Sequence, residues 1–363
     1  MLTIKNDVRL KELTTFGIGG NARYFAEVVT LDDLRDALTF AAAERLELLI
    51  LGGGSNMLVS DSGFAGLTLK IGLKGFEVIA EDAESVLLRV AAGEIWDEVV
   101  ANAVKSGWWG IENLSLIPGS AGAFAVQNVG AYGQEASDVV ESLDVCEIAA
   151  GRQIAIPRRE CGFGYRASVF NTQRKGRDII LNTVMRLKKR GAPNLSYRDL
   201  AAHFQGKPTP TLPEVRAAVI AIRDAKLPDP KNIGSAGSFF KNLTLDLAAF
   251  CKMRDQIGRA LGEQAASAVV SVCRENAAGV KVPTALLLDL CGLKGKRVGG
   301  AEIFHKHPLI LINADGRATA DDVLRLMRCA RQTVYAHAGV EIFPESNLIG
   351  FTPEELREYF ALC

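Results

Sequence analysis

Ser238 stands in "GSAGSFFKN" (234–242), between a run of small residues and two phenylalanines. A hydroxyl held against two large rings has four readings: nucleophile, phosphate contact, proton donor or turn residue. Two glycine-rich stretches stand upstream of it. In "LGGGSNML" (51–58), Gly52, Gly53 and Gly54 are followed by Ser55 and Asn56. Consecutive glycines let the backbone bend with no side chain in the way, and the exposed N–H groups form a nest suited to phosphate. No Gly-Lys-Ser/Thr follows, so it is not a Walker loop, and the last glycine of a dinucleotide fingerprint is missing. "PGSAGAFAVQNVGAYGQE" (118–135) mixes glycines and alanines with Ser120, Gln127 and Asn128. So many small residues bury little in a strand, but suit a backbone lying flat against a large planar ligand. In "CGFGYRASVF" (161–170), Arg166 follows an aromatic-rich run and is expected to precede a mixed strand. A buried arginine beside aromatics calls for an anionic partner, a ligand or a structural carboxylate.

The elements that must position these residues can be read from periodicity. "LDDLRDALTFAAAERL" carries Leu31, Leu34, Ala37, Leu38 and Ala41 on one helical face. "ELLILGGG" is an apolar strand feeding a tight loop, and "FAGLTLKI" and "SVLLRVAAG" are further strands. "EIWDEVVANAVKSG" is a helix ending at Gly107. "SLDVCEIA" and "IILNTVMRLKK" are strands, and "TLPEVRAAVIAIRDAKL" is a helix with Pro213 near its start. "LPDPKNIGSAG" is a break and a candidate linker. Beyond it "TALLLDLCGL" reads as a helix, "HPLILIN" as a strand and "TADDVLRLMRCARQTVYAHAG" as a long amphipathic helix. The expectation is an α+β protein of two or three lobes.

Bulk properties exclude several classes. Lys plus Arg equals Asp plus Glu at 42 each, so no global charge marks a nucleic-acid or membrane partner. No apolar run reaches the ~18 residues of a membrane span. The start lacks the long apolar core of a signal peptide. Seven cysteines, Cys146, Cys161, Cys251, Cys273, Cys291, Cys329 and Cys363, form no C-x-x-C pair and read as reduced thiols. His305 and His307 have no acidic or cysteine neighbours, so no metal site is expected.

"TTFGIGG", "LGGGSN", "IPGSAGAFAVQNVGAYGQE", "CGFGYRASVF", "KLPDPKNIGSAGSFFKN" and "FPESNLIG" occur in that order between Thr14 and Gly350. Together they resemble the UDP-N-acetylenolpyruvoylglucosamine reductase family, also called UDP-N-acetylmuramate dehydrogenases. The resemblance implies a two-lobed FAD-binding domain of the vanillyl-alcohol oxidase type (15–190, the lobes split near 74). It also implies a connecting segment (191–226), a C-terminal α+β substrate-binding lobe (227–340) and a C-terminal segment (341–363) returning to the active site. By this resemblance Gly52, Gly53, Gly54, Ser55 and Asn56 hold the FAD pyrophosphate. Pro118, Gly119, Ser120, Gly122, Gln127, Asn128, Gly130, Ala131 and Tyr132 wrap the flavin and ribityl chain. No histidine precedes His203, so FAD is expected to be non-covalent.

The implied activity is NADPH-dependent reduction of the enolpyruvyl ether of UDP-N-acetylglucosamine to UDP-N-acetylmuramate, a peptidoglycan precursor, by a cytoplasmic enzyme that is a monomer. The resemblance assigns Ser238 as proton donor and Arg166 and Glu345 to the carboxylate side of the substrate. Alignment on Pro344 and Gly350 selects Glu345 over Glu341, and Asn347 stands where the family has arginine. Tyr197, Lys226, Asn242, Lys281 and His307 occupy substrate-contact positions. No tyrosine lies between Tyr197 and Tyr335, where a mobile tyrosine loop is usual, which leaves Arg274 and Asn276 as candidate closing groups. The competing readings are another FAD oxidoreductase of the same fold and a non-catalytic nucleotide-sugar-binding protein.

Overall fold

The structure is a computed structural model that describes residues 2–362. Cys363 lies outside them. The chain divides into two compact units: 1–8, 22–54 and 65–225 form the first, and 9–21, 55–64 and 226–363 the second. The chain passes from one unit to the other five times.

The first unit contains two larger sheets. One has strand order Lys5–Arg9, Asn21–Val28, Phe64–Ile71, Leu48–Leu51, with the last pair parallel and Leu48 opposite Leu67. Helix α1 (Leu31–Ala43) starts at a capping box: the Asp33 amide donates to the Thr30 hydroxyl, and the Thr30 amide donates to the Asp33 carboxylate. The second sheet is antiparallel throughout. Its order is Gln153–Pro157, Val140–Glu147, Asp178–Lys188, Ser85–Ala91, Phe76–Glu81. Helices α2 (Trp96–Lys105) and α3 (Ala121–Val126) pack with it, and the Trp96 ring stacks on Phe124 at 3.7 Å. Residues 191–225 belong to this unit and carry α4 (Arg198–Phe204) and α5 (Leu212–Lys226).

In the second unit an antiparallel sheet runs Gly234–Ser238, Ile310–Asn313, Ala301–Ile303, Arg297–Val298. A three-stranded sheet joins Leu243–Leu245, Gly279–Val282 and Arg274–Asn276. Helices α6 (Leu247–Leu261), α7 (Glu263–Val272), α8 (Thr284–Leu290) and α9 (Ala320–Ala338) supply most of the core, and α10 (Pro353–Phe360) packs on α9. Helix α9 has a Thr319–Asp322 capping box at one end and Gly339 in the left-handed region (φ 67°) at the other. Phe16, Ile18 and Leu58 are buried in this same core.

Two local expectations differ. The small residues from Gly234 form an edge strand, so the break stops at 233. A Cβ on Gly234 would collide with the Phe16 carbonyl, and the Ser235 amide donates to the Thr15 carbonyl (3.0 Å). Small residues are needed because backbone meets backbone there. The mixed strand expected after Arg166 is a 3-10 turn, Val169–Asn171, capped by the Ser168 hydroxyl. No described helix is long and apolar enough to cross a membrane.

Candidate active site

The strand Leu48–Leu51 delivers Gly52–Gly54 into a turn. A Cβ on Gly53 would stand 2.5 Å from the Gly119 Cα, and one on Gly52 would stand 2.6 Å from the Ser120 hydroxyl. These glycines therefore let the two glycine-rich loops of the first unit lie backbone against backbone. Lys70, half-buried on the neighbouring strand, donates its ammonium to the Gly52 carbonyl, and burial lowers its pKa. That bond occupies the Gly52 carbonyl. The amides of Gly53 and Gly54 make no hydrogen bond to the described residues. Unpaired amides, a buried serine hydroxyl at Ser120 and a lysine behind the loop form a donor set that fits an anionic diphosphate such as that of FAD.

The second loop holds more structure than its composition announces. Its first small residues form α3, whose Ala121 and Gly122 amides donate to the Glu94 and Ala92 carbonyls (2.9 and 3.0 Å). Gly122 meets Ala92, since a Cβ there would stand 2.5 Å from the Ala92 methyl. Gly130–Ala131 pairs with Gln134–Glu135 as a small hairpin. Asn128 and Tyr132 adopt left-handed backbone (φ 46° and 49°), a conformation costly for residues with side chains. The Asn128 side chain holds the loop in place: Nδ2 donates to the Gly164 carbonyl (3.0 Å) and Oδ1 accepts from the Ser137 amide (2.9 Å).

Gly164 opens the turn that carries Arg166. This arginine is half-buried with φ 52°, and its guanidinium lies 5.6 Å from the Tyr165 ring. Asn171 Nδ2 donates to its carbonyl (3.0 Å). A Cβ on Gly130 would stand 3.5 Å from Arg166 Nη1, so the guanidinium lies against the flavin-loop candidate. The structure thus brings Arg166 together with residues 128–133, which lie far from it in sequence.

Sequence reading missed three groups behind this loop. Asn113, fully buried, donates Nδ2 to the carbonyls of Tyr132 (2.7 Å) and Asn194 (2.8 Å), while its amide donates to Gln134 Oε1. Glu112, 1% exposed, accepts from Gln134 Nε2 (2.9 Å) and the Gly110 amide (2.7 Å). Third, Arg216 of α5 pairs bidentately with Asp97 of α2 (2.7 and 2.9 Å), and Asp97 also accepts from the Leu116 amide (2.5 Å), just before Pro118. No local signal marks these polar residues, because a buried carboxylate and a solvated one look alike in a helical pattern.

The Asp97 clamp carries a pH signature. Burial pushes its carboxyl pKa up, but Arg216 and the Leu116 amide outweigh burial and hold it below the usual value. A depressed carboxyl stabilises the fold above its unfolded pKa near ~4, and that contribution is lost as pH falls through the lower folded value. Asp97→Asn is expected to cost roughly 1–3 kcal/mol at neutral pH. Thermal melts should show its deficit against the parent protein shrinking below about pH 4; a deficit constant to pH 3 would refute the clamp.

Tyr132 also meets Tyr197 edge-on, with ring centroids 5.1 Å apart. Burial raises the Tyr132 pKa, against the nearby Arg223 cation. Lys226 is exposed at the last turn of α5.

Ser238, in the second unit, ends the strand Gly234–Ser238 opposite Ile310, after a bulge. Gly237 supplies φ 70° at that bulge. Phe239 and Phe240 are buried and meet edge-on at 5.3 Å, so they anchor the strand end and leave Ser238 half-exposed. Glu345 comes to the same place: its amide donates to the Phe239 carbonyl (2.6 Å), while the Lys241 amide donates to the Phe343 carbonyl (3.0 Å). Two segments about a hundred residues apart are laced together by a bond that Glu345 makes with its own amide and that lies one residue past Ser238. Glu341 instead forms an ion pair with Arg331 at 3.0 Å.

The remaining candidates sort plainly. Asn242 accepts from the Thr284 amide through Oδ1 (3.0 Å). Lys281 is exposed on the central strand of the three-stranded sheet, opposite Thr244 and Arg274. His307 lies in the turn before Ile310, its carbonyl accepting from the Ile310 amide (3.0 Å). Arg274 caps the end of α7 through the Ser271 and Cys273 carbonyls, and Asn276 accepts from the Ala278 amide in its hairpin turn. Asn347, in place of arginine, donates both its amide (3.1 Å) and Nδ2 (3.0 Å) to the Asn56 carbonyl, stitching the strand 347–349 to 57–59.

Comparison with known proteins fits this geometry. A family model described as FAD binding domain matches residues 22–156, and one described as UDP-N-acetylenolpyruvoylglucosamine reductase, C-terminal domain, matches 229–349. The chain is 38% identical over 352 residues to UDP-N-acetylenolpyruvoylglucosamine reductase of Neisseria meningitidis serogroup A, covering 96% of this chain and 98% of that protein. It belongs to the UDP-N-acetylenolpyruvoylglucosamine reductase family. The reductase of Chromobacterium violaceum is 37% identical over 354 residues, covering 96% of this chain and 99% of that protein. The crystal structure of UDP-N-acetylenolpyruvylglucosamine reductase from Thermus caldophilus shares the fold, with TM-score 0.67 and 24% identity over 96% of this chain and 100% of that one. Within the reductase family's α+β architecture, the first unit's glycine loops fall largely in the FAD-binding match, and Ser238 and Glu345 both fall in the C-terminal match.

Proposed function

We propose that this protein reduces the enolpyruvyl ether of UDP-N-acetylglucosamine to UDP-N-acetylmuramate, using NADPH and bound FAD, in the cytoplasmic supply of peptidoglycan precursor, and that it does so as a monomer. The observation that carries the reading is the bond from the Glu345 amide to the Phe239 carbonyl. It brings the backbone of Glu345 to that of Phe239, the residue after Ser238, in a chain whose relatives bear that reductase name. FAD, when bound, supplies the transfer of hydride from NADPH to the terminal carbon of the enolpyruvyl alkene.

The chain's own residues do the rest. Gly52–Asn56 and the loop from Pro118 to Tyr132 bind and orient the cofactor through backbone amides and Ser120. As the alkene gains hydride at its terminal carbon, its electron pair moves onto the α-carbon and into the carboxylate. Arg166 stabilises that charge as a cation, and Glu345, acting as the protonated acid, donates a hydrogen bond to the carboxylate and holds it in place. The Ser238 O–H bond breaks and its proton goes to the α-carbon, completing the lactyl ether; solvent returns a proton to the serine oxygen. A neutral hydroxyl suffices because the carbon it protonates is strongly basic. Tyr197, Lys226, Asn242, Lys281 and His307 hold the UDP-sugar, the lysines through its diphosphate.

The test is direct. The purified protein should be yellow, and NADPH oxidation should require UDP-N-acetylglucosamine enolpyruvate and yield UDP-N-acetylmuramate in equal amount. A colourless protein without affinity for FAD, or NADPH oxidation indifferent to that substrate, would refute the reading.

A further inference from the structure

Arg331 is 1% exposed in the middle of α9, inside the core of the second unit. Its guanidinium stays charged at any working pH, so its donors must be met inside the protein. Nε donates to the Ile342 carbonyl (2.9 Å) and Nη2 to the Glu341 carboxylate (3.0 Å). Nη1 donates to the carbonyls of Phe360 (2.8 Å) and Tyr359 (3.4 Å) at the end of α10. Those carbonyls carry the negative end of the helix dipole, where a cation is favoured. Phe360 and Phe343 lie 4.8 and 5.5 Å from the guanidinium carbon. One side chain thus grips the segment 341–343 on one side and the end of α10 on the other.

That segment leads straight to Glu345. Two residues past Ile342 the chain crosses Phe240 at Pro344, and two residues past Glu345 the Asn347 amide is fixed to the Asn56 carbonyl. Glu345 is thus bonded through its own amide to the Phe239 carbonyl, and Arg331 fixes the chain three residues before it, at Ile342.

We propose that Arg331 is the positioning residue for Glu345, acting through Glu341, Ile342 and Phe343. This rests on the role proposed above for Glu345. Lysine in place of Arg331 keeps the charge but loses the planar fork that bonds four acceptors.

The test uses the FAD-loaded enzyme and follows flavin absorbance in two stopped-flow steps: bleaching by NADPH, then recovery on adding the enolpyruvyl substrate. Arg331→Lys is expected to leave bleaching within twofold and slow recovery about tenfold or more, as expected when a positioned group is displaced. In a Glu345→Gln background it should slow recovery by less than twofold further, since there is no carboxyl group left to position. A merely structural arginine would slow both steps together, or slow recovery by the same factor in both backgrounds; either outcome overturns the proposal. Should Arg331→Lys not fold, the half-exposed partner is replaced instead: Glu341→Ala is expected to slow recovery several-fold with bleaching unchanged, and unchanged recovery overturns the proposal. Failure of the underlying reading looks different: Glu345→Gln alone would leave recovery at the parent rate.

Discussion

Ser238→Ala is expected to leave flavin reduction by NADPH near the parent rate and to slow reoxidation by the enolpyruvyl substrate by roughly 10²- to 10⁴-fold, the range for loss of a positioned acid. The asymmetry follows from where the serine stands. Its side chain is half-exposed at the end of an edge strand, and the burial that fixes this strand end belongs to Phe239 and Phe240. The bonds from Phe239 to Leu309 and from Glu345 to Phe239 are made by backbone groups, which alanine retains. The fold and the cofactor loops of the other unit should be unaffected, so hydride entry survives and only protonation of the α-carbon is lost. Two results would sink the assignment: equal losses in both half-reactions, or reoxidation within a few-fold of the parent.

Gly53→Ala is expected to produce a folded protein that holds FAD about a hundred times more weakly, consistent with an overpacking cost of ~1–3 kcal/mol. The added methyl would stand 2.5 Å from the Gly119 Cα, with the Gly119 carbonyl carbon and amide next nearest at 3.0 and 3.2 Å. All three are backbone atoms, so no side chain can swing aside, and one glycine loop must move off the other. Gly53 and Gly119 are not themselves part of the main apolar cluster of this unit, which the second loop joins only from Ala121 onward, so the loss should appear in cofactor affinity before it appears in melting of the apoprotein. Gly107→Ala is the control for added side-chain volume, because a Cβ there meets nothing within 4 Å; its own strain is the positive φ of 76°. Retention of FAD by Gly53→Ala at parental affinity would mean that loop contact is not what shapes the cradle.

Those two residues also mark how far the sequence could be read. Runs such as Gly52–Gly54 declare in their own composition that a backbone must come close to something. They do not declare to what: Gly53 admits Gly119, Gly122 admits Ala92 and Gly234 admits Phe16, so part of the signal read as ligand contact is the chain meeting itself. Long periodic elements, α1 and α9 among them, were legible because one apolar face repeats at helical spacing. Ser238 and Glu345 could be chosen only by resemblance, since their meeting depends on a long-range backbone pairing. The choice between Glu341 and Glu345 has a physical counterpart in Arg331, yet nothing near Arg331 in the sequence distinguishes it from the solvent-facing arginines of the same helix. Alternating charge in a helix reads as a wet surface until the fold shows which residue is inside. Asn113, Glu112 and the Arg216–Asp97 clamp escaped for the same reason.

The five passages of the chain between its units bear on how the protein is made. A ribosome releases residues 9–21 and 55–64 early, but the second unit, to which they belong, has its remaining strands and helices only after residue 226. Phe16, Ile18 and Leu58 must therefore wait, unburied, through the synthesis of more than half the protein before α6 to α9 arrive to cover them. The first unit has all its own residues by 225 and can complete its own fold earlier. A fragment beginning at 226 would lack three buried side chains of its own core. Such a fragment should emerge as aggregation-prone chain, and supplying the segments 9–21 and 55–64 on a circularly permuted chain should restore its solubility.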